Sequence, residues 1–308
     1  MSYILDSTLR DGAYAFGNAM PIDYVQSIAI NLGKLVDFLE VGSSLSFGYG
    51  HEKSLIDDQI RFHAVCKYSS RALPTVFIQP YLWEKIGSPK LSSIFNEKPG
   101  LIRIGIDPEM EPSIELDIIE QCSQLNVPCS LNLMKAYKFS EARLNSMASN
   151  LNPVVNCVSL VDSSGCMDPS EIEDFLKKLA RIFKTSFGLH IHNNTGYANT
   201  ISIKGLSSGY TVDSTLLGEG RAGGNADTCL LVLKKALMQN TSLEELDLIL
   251  KKLLVPSTLI WGSKARSHIT NILLGLTSLH SSQLSSNRFG TLNMIPSIND
   301  MYDLSWKA

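Results

Sequence analysis

Three short polar stretches of this chain carry residue types whose spacing can do chemistry. The first is His190-Ile191-His192-Asn193-Asn194. Alternate residues of a strand point to the same side, so two imidazoles two positions apart share one face. Neutral imidazoles at that spacing suit a divalent metal, although an H-x-H pair also occurs as two hydrogen-bonded histidines with no ligand. The second stretch is Asp6-Ser7-Thr8-Leu9-Arg10-Asp11-Gly12, directly after the apolar run Tyr3–Leu5. An acid beside a guanidinium in a turn can be a surface ion pair worth under about 1 kcal/mol. Gly12, however, permits a turn that other residues resist, and Asp11 offers the oxygen that would complete a set with His190 and His192. Two imidazoles and a carboxylate leave coordination positions open for a substrate. The third stretch is Gly218-Glu219-Gly220-Arg221-Ala222-Gly223-Gly224-Asn225. It matches G-x-G-x-x-G, but a dinucleotide fingerprint also needs a following strand that ends in an acid, and Leu230–Leu237 read as helix. The stretch is better read as a loop that lets backbone approach a site, with Asn225 either capping the next helix or supplying a further oxygen ligand.

These residues need a frame to bring them together. Short apolar runs recur at Tyr3–Leu5, Val36–Val41, Pro74–Ile78, Leu101–Ile104, Cys129–Leu133, Val154–Val161, Gly188–Ile191 and Thr211–Val212. Amphipathic segments such as Ile22–Leu32, Glu115–Leu125 and Ser170–Phe183 lie between them. Such alternation predicts parallel strands with helical crossovers, closed as a (β/α)8 TIM barrel or open as a doubly wound sheet. In a barrel the ends of strands one and seven open onto the same face, which carries catalytic groups. Residues 1–240 are thus expected to form the barrel. From Thr241-Ser242-Leu243-Glu244-Glu245, which reads as a capped helix start, residues 241–308 are expected to form a small helical extension packed on it.

Bulk properties narrow the function. The chain has 308 residues, 44% of them hydrophobic, with a net charge of −3, and no dense basic run. Nucleic acid and anionic membranes are therefore not expected as partners. No leader and no uninterrupted apolar span stand out, so a cytoplasmic protein is expected. The six cysteines show no C-x-x-C spacing and read as buried small hydrophobes. Cys166 differs in lying beside candidate site residues.

Five motifs in order resemble the DRE-TIM metallolyase superfamily. Asp6–Gly12 resembles its D-x-T-L-R-D-G, Leu39-Glu40-Val41-Gly42 its E-V-G, and Asp162-Ser163-Ser164-Gly165 its D-S-x-G. His190–Asn193 is similar to its H-x-H-N, and Gly218–Ala226 to its last glycine-rich loop. The loop lacks the acid at its fourth place that is usual in the carboxylate-bearing synthases. Trp261-Gly262 and Gly275–Leu284 resemble the helical extension of the 4-hydroxy-2-oxovalerate aldolases. The resemblance implies an aldolase that makes or breaks a carbon–carbon bond of a 4-hydroxy-2-oxo acid through a pyruvate-type enolate. It implies a divalent metal on Asp11, His190 and His192, with Mn2+ first and Mg2+, Zn2+ or Co2+ as alternatives. Arg10 would stabilise the enolate, Ser163 would hydrogen-bond the substrate carboxylate, Asn225 would bind substrate, and Glu40 would orient Arg10 or a metal-bound water. Two positions depart from the aldolases: Tyr14 stands where they usually have His, and His280 where their extension has Tyr. Either is a candidate base. The partners implied are a 2-oxo acid, an aldehyde, an aldehyde dehydrogenase and further copies of the chain. An acyl-CoA lyase or synthase, or an idle barrel kept as a binding partner, are the competing readings.

Overall fold

The computed structural model describes residues 2–16, 20–42, 47–48, 54–109 and 113–278; His280 lies outside the described residues. The elements run β1 (Tyr3–Asp6), α1 (Ile22–Asn31), β2 (Phe38–Val41), α2 (Ser54–Tyr68), β3 (Leu73–Ile78), α3 (Pro80–Lys85), α4 (Leu91–Ile94) and β4 (Leu101–Ile106). They continue with α5 (Ser113–Gln124), β5 (Cys129–Leu133), α6 (Glu141–Ser149), β6 (Val155–Asp162), α7 (Pro169–Ile182), β7 (Ser186–Ile191), α8 (Ala198–Ser207), β8 (Thr211–Ser214) and α9 (Thr228–Met238). Two further helices follow, α10 (Leu243–Trp261) and α11 (Ser263–Leu276).

All eight strands pair in parallel and in chain order. Closure comes from β1 against β8, where Tyr3 pairs with Thr211 and Asp6 with Ser214. That pairing decides for the TIM barrel over the open sheet. Strands covered on both faces should read as almost unbroken apolar runs. β4 does so, with all six residues of Leu-Ile-Arg-Ile-Gly-Ile buried; its one charge becomes important below. Every expected strand is present, Cys129–Leu133 with the same bounds and the other seven with one or both ends shifted. β2 starts at Phe38 because the Val36 N–H bonds back to Leu32 O in a helical turn.

The helices obey local rules. α7 begins with Asp168 and Glu171 in a reciprocal capping box, has Pro169 in its first turn, and buries Ile172, Phe175 and Leu179, one face at helical spacing. α10 starts on the Ser242–Glu245 capping box. It packs on α1 and α9, and α11 on α9 and α10. Among the described residues no helix is long and apolar enough to cross a membrane.

An ion pair ties α11 to the carboxyl-terminal end of the barrel strands. His268 Nε2 lies 2.6 Å from Asp227 Oδ2, and Asp227 caps α9 through the Cys229 N–H. The Asp227 hydrogen bond raises the His268 pKa above its ordinary 6.5, against the opposing effect of burial. The stabilisation is therefore complete below the unfolded value near 6.5 and fades as pH rises through the higher folded value. His268 is 43% exposed, so the contribution is screened to under about 1 kcal/mol. Chemical denaturation of His268→Ala should show that small deficit at about pH 5 and none at about pH 9.

Candidate metal centre and its barrel support

The three expected ligands meet at the carboxyl-terminal mouth of the barrel. Asp11 follows β1, and His190 and His192 lie at the end of β7. Asp11 Oδ2 is 3.5 Å from His190 Nε2 and 3.9 Å from His192 Nε2. One ligand atom from each residue falls within 4.8 Å of the other two, and all three residues are buried. His190 Nδ1 lies 2.9 Å from Asp213 Oδ2, and His192 Nδ1 lies 3.2 Å from Gly224 O. With each Nδ1 donating to oxygen, a neutral imidazole would present its Nε2 lone pair toward Asp11, which is how outer partners fix an imidazole for a metal.

Among the described residues Asp11 Oδ2 is buried with no hydrogen-bond partner, as is Asn225 Oδ1. An orphaned buried carboxylate oxygen costs several kcal/mol unless something satisfies it. A cation facing two imidazole nitrogens is the occupant that fits. Burial pushes Asp11 up, but His190, Arg10 and His192 together hold it well below the usual carboxylate range. Burial and the neighbouring His190 bring His192 down to about 4, so it is a neutral donor. For His190 burial acts downward, but Asp11 and Asp213 outweigh it and raise the group; metal entry would displace a proton there.

The glycine-rich loop closes this end. Gly224 has φ 82°, and a Cβ on it would stand 2.2 Å from Gly218 O. Its carbonyl is thereby free to reach His192. Asn225 does not cap α9; Asp227 does. Asn225 is instead buried in the loop, its Nδ2 directed at Glu219 O at 3.5 Å. Gly220 sits where a Cβ would lie 2.3 Å from Asn225 Nδ2 and 3.7 Å from Asp11 O, which keeps Asn225 close to Asp11.

Arg10 and Glu40 are brought together at 2.5 Å, and the Arg10 guanidinium stacks on Phe77 at 4.8 Å. Behind them lies a layer that sequence reading missed. Arg103 of β4, essentially inaccessible, donates to Glu40 Oε1 at 2.7 Å and to Asp213 Oδ2. Arg10, Glu40, Arg103, Asp213, His190 and Asp11 thus form one continuous chain of charge across the barrel. Barrel interiors are normally filled by Val, Ile and Leu. Burial pulls down on Arg103, but Asp213 and Glu40 outweigh it and hold the group firmly charged. The available signal was an ionisable residue in mid-strand, in Leu-Ile-Arg-Ile and in Thr-Val-Asp-Ser. Such groups are almost never buried unless paired.

A pocket of about 200 Å³ opens over this centre, lined by Arg10, Asp11, His190 and His192, and also by Ser163, Lys135 and Asp107. Ser163 Oγ accepts the Lys135 backbone N–H at 2.9 Å. Tyr14 is half-buried on the turn Gly12–Phe16, with the Arg221 guanidinium 5.5 Å over its ring. Burial raises the Tyr14 pKa despite Arg221. Cys66 is half-buried, Cys166 exposed, and the other four cysteines are buried and free.

An eight-stranded barrel carrying a carboxylate and two imidazoles at its carboxyl-terminal mouth defines the class, a TIM barrel with a candidate metal centre. The HMGL-like family model matches residues 102–254, and the chain belongs to this family of lyases and aldolases. It is 28% identical over 243 residues to a 4-hydroxy-2-oxovalerate aldolase of Geobacillus genomosp. 3, covering 74% of this chain and 68% of the relative. It is 26% identical over 250 residues to an oxaloacetate decarboxylase of Mycobacterium tuberculosis, covering 80% of this chain and 72% of the relative. Among solved structures, the N-terminal domain of an aldolase candidate from Bacteroides vulgatus superposes with a TM-score of 0.67 at 22% identity, covering 89% of this chain and 96% of that one. At that identity the likeness speaks for the fold alone.

Proposed function

We propose that the protein is a divalent-metal-dependent aldolase that cleaves or forms a carbon–carbon bond of a 4-hydroxy-2-oxo acid through a pyruvate-type enolate. The observation that carries this reading is the orphaned Asp11 Oδ2 between two aligned imidazole nitrogens, with Arg10 held in the same pocket. A divalent ion held by Asp11, His190 and His192 would act as a Lewis acid on the 2-oxo acid. Arg10, fixed by Glu40 and Phe77, would stabilise negative charge on the enolate oxygen without reorganising.

Charge counting agrees. Arg10, Arg103, Arg221 and Lys135 offset Asp11, Glu40, Asp107 and Asp213, four against four. With neutral imidazoles the site is balanced, and a divalent ion leaves two positive charges for a carboxylate and a developing enolate. The volume also favours a small acid. Pockets for drug-sized ligands run to roughly 300–1,000 Å³, against about 200 Å³ here. The name of the Mycobacterium tuberculosis relative favours a second reading, decarboxylation of a 2-oxo diacid, which passes through the same enolate. An aldehyde released by cleavage would suit an aldehyde dehydrogenase as partner.

Tyr14 is the proton donor this reading assigns in the condensation direction, because a phenol carries its proton at neutral pH at its ordinary value near 10. Tyr14→Phe is expected to lower kcat at least tenfold with unchanged metal content, by steady-state kinetics and elemental analysis. An unchanged kcat would move the proton transfer elsewhere, with His280 the next residue to replace. The reading as a whole is tested by pyruvate release from a panel of 4-hydroxy-2-oxo acids, with and without chelator. No release from any member, or release indifferent to chelator, would overturn it.

A further inference from the structure

The wall of the pocket away from the metal ligands is polar and rich in donors. Going round the rim from His192 at the end of β7, Ser163 follows β6, Lys135 follows β5 and Asp107 follows β4, and all three line the same pocket as Arg10 and the histidines. Neighbouring strands lie about 4.8 Å apart, so this arc extends roughly 10 Å from β7 to β5. Lys135 is held there by a left-handed backbone, φ 52° and ψ 50°. A side chain with a Cβ takes that conformation uncommonly, and such residues gather at ligand sites. Its N–H is fixed by Ser163 Oγ at 2.9 Å and its Nζ by Asp107 Oδ2 at 2.7 Å. Asp107 Oδ1 accepts the Glu109 N–H at 3.1 Å.

The remaining hydrogen-bonding capacity is one-sided. Ser163 has used an acceptor position and keeps its O–H to give. Lys135 has three N–H donors and gives one to Asp107. Both Asp107 oxygens already accept a bond. What this wall offers is therefore N–H and O–H donors, the Lys135 charge being paired with Asp107 in the same pocket, and a methyl group would displace water from these donors without replacing its hydrogen bonds. A carboxylate would take bonds from Ser163 and Lys135 together, each charge-assisted.

We infer that Lys135 and Ser163 form a subsite for a second carboxylate, so that the substrate is a 2-oxo diacid rather than a methyl-ended 2-oxo acid. The inference rests on the aldolase reading for the first carboxylate, which sits with Arg10 and the metal ligands. It assigns Ser163 to the distal carboxylate.

The test compares 4-hydroxy-2-oxoheptanedioate with 4-hydroxy-2-oxoheptanoate, which differ only in the distal carboxylate, by kcat/KM for pyruvate release with Mn2+ present. The wild type should prefer the diacid at least tenfold. Lys135→Met should cut that preference at least tenfold, chiefly through KM for the diacid, whereas Lys135→Arg should retain most of it. Thermal melting confirms that both variants are folded. A wild-type preference near unity, or one that Lys135→Met leaves unchanged, overturns the subsite. If neither substrate releases pyruvate, the aldolase reading fails, and the subsite is judged by calorimetry instead. Wild type should bind 2-oxoglutarate at least tenfold more tightly than 2-oxopentanoate and lose that margin in Lys135→Met; equal binding overturns it.

Discussion

Replacing Arg103 with methionine should destabilise the fold by about 3–5 kcal/mol and weaken metal binding in the same variant. The guanidinium sits at the centre of the barrel, bonded to Glu40 on one side and Asp213 on the other. Removing it takes one cationic partner from each of two buried carboxylates, leaving Glu40 to Arg10 and Asp213 to His190 alone, the costly way of breaking a buried network. Both losses then reach the mouth. Asp213 is no longer held against His190 Nδ1, and Glu40 is no longer held against Arg10. Urea denaturation measures the first effect, and titration of a divalent ion into folded protein measures the second. Asp213→Asn separates the two, since it spares Glu40; loss of an outer partner of a metal-binding imidazole typically costs about 10–100-fold in affinity. Unchanged metal affinity in a folded Asp213→Asn would reduce this layer to a structural role.

The second large effect concerns the ligand itself. Asp11→Asn should lower pyruvate release by three orders of magnitude or more, because the Lewis-acid contribution of a metal is worth several kcal/mol. Asparagine keeps the shape and one oxygen but loses the charge between the imidazoles. The fold should survive the change with some loss of stability, since the attraction of His190, Arg10 and His192 for the carboxylate goes with its charge. Steady-state rates, with circular dichroism to confirm folding, check both halves. A variant as active as the wild type would remove Asp11 from the chemistry.

These two predictions differ in how far sequence alone could have reached them. Asp11, His190 and His192 were legible because each stands at the end of an apolar run with a turn residue or second polar group beside it. Eight such runs also called for parallel strands with helical crossovers, closed or open, and the burial of both faces explains why they read so clearly; the β1–β8 pairing decides for the barrel. Arg103 and Asp213 were not legible. Each is a single charge inside a strand, and nothing local says whether it faces the barrel axis or the helices. Only closure of β1 on β8 brings β2, β4 and β8 round one axis. Asn225 was misplaced as a possible cap for a related reason. Both it and Asp227 are good capping types, and the choice depends on where the glycine-rich loop ends, which is set by its packing against Asn194. Lys135 was passed over because a lysine after a strand looks solvated. Its left-handed backbone and its bonds to Asp107 and Ser163 are tertiary facts.

The central claim is that Asp11, His190 and His192 hold one divalent ion. It is tested most directly by calorimetric titration of chelator-stripped protein with Mn2+, Mg2+, Zn2+ and Co2+ in parallel, on the wild type and on Asp11→Asn. The predicted result is one saturable site per chain for at least one of these ions, lost or severely weakened in the variant. Binding that is absent from the wild type, or that persists undiminished in Asp11→Asn, would contradict it.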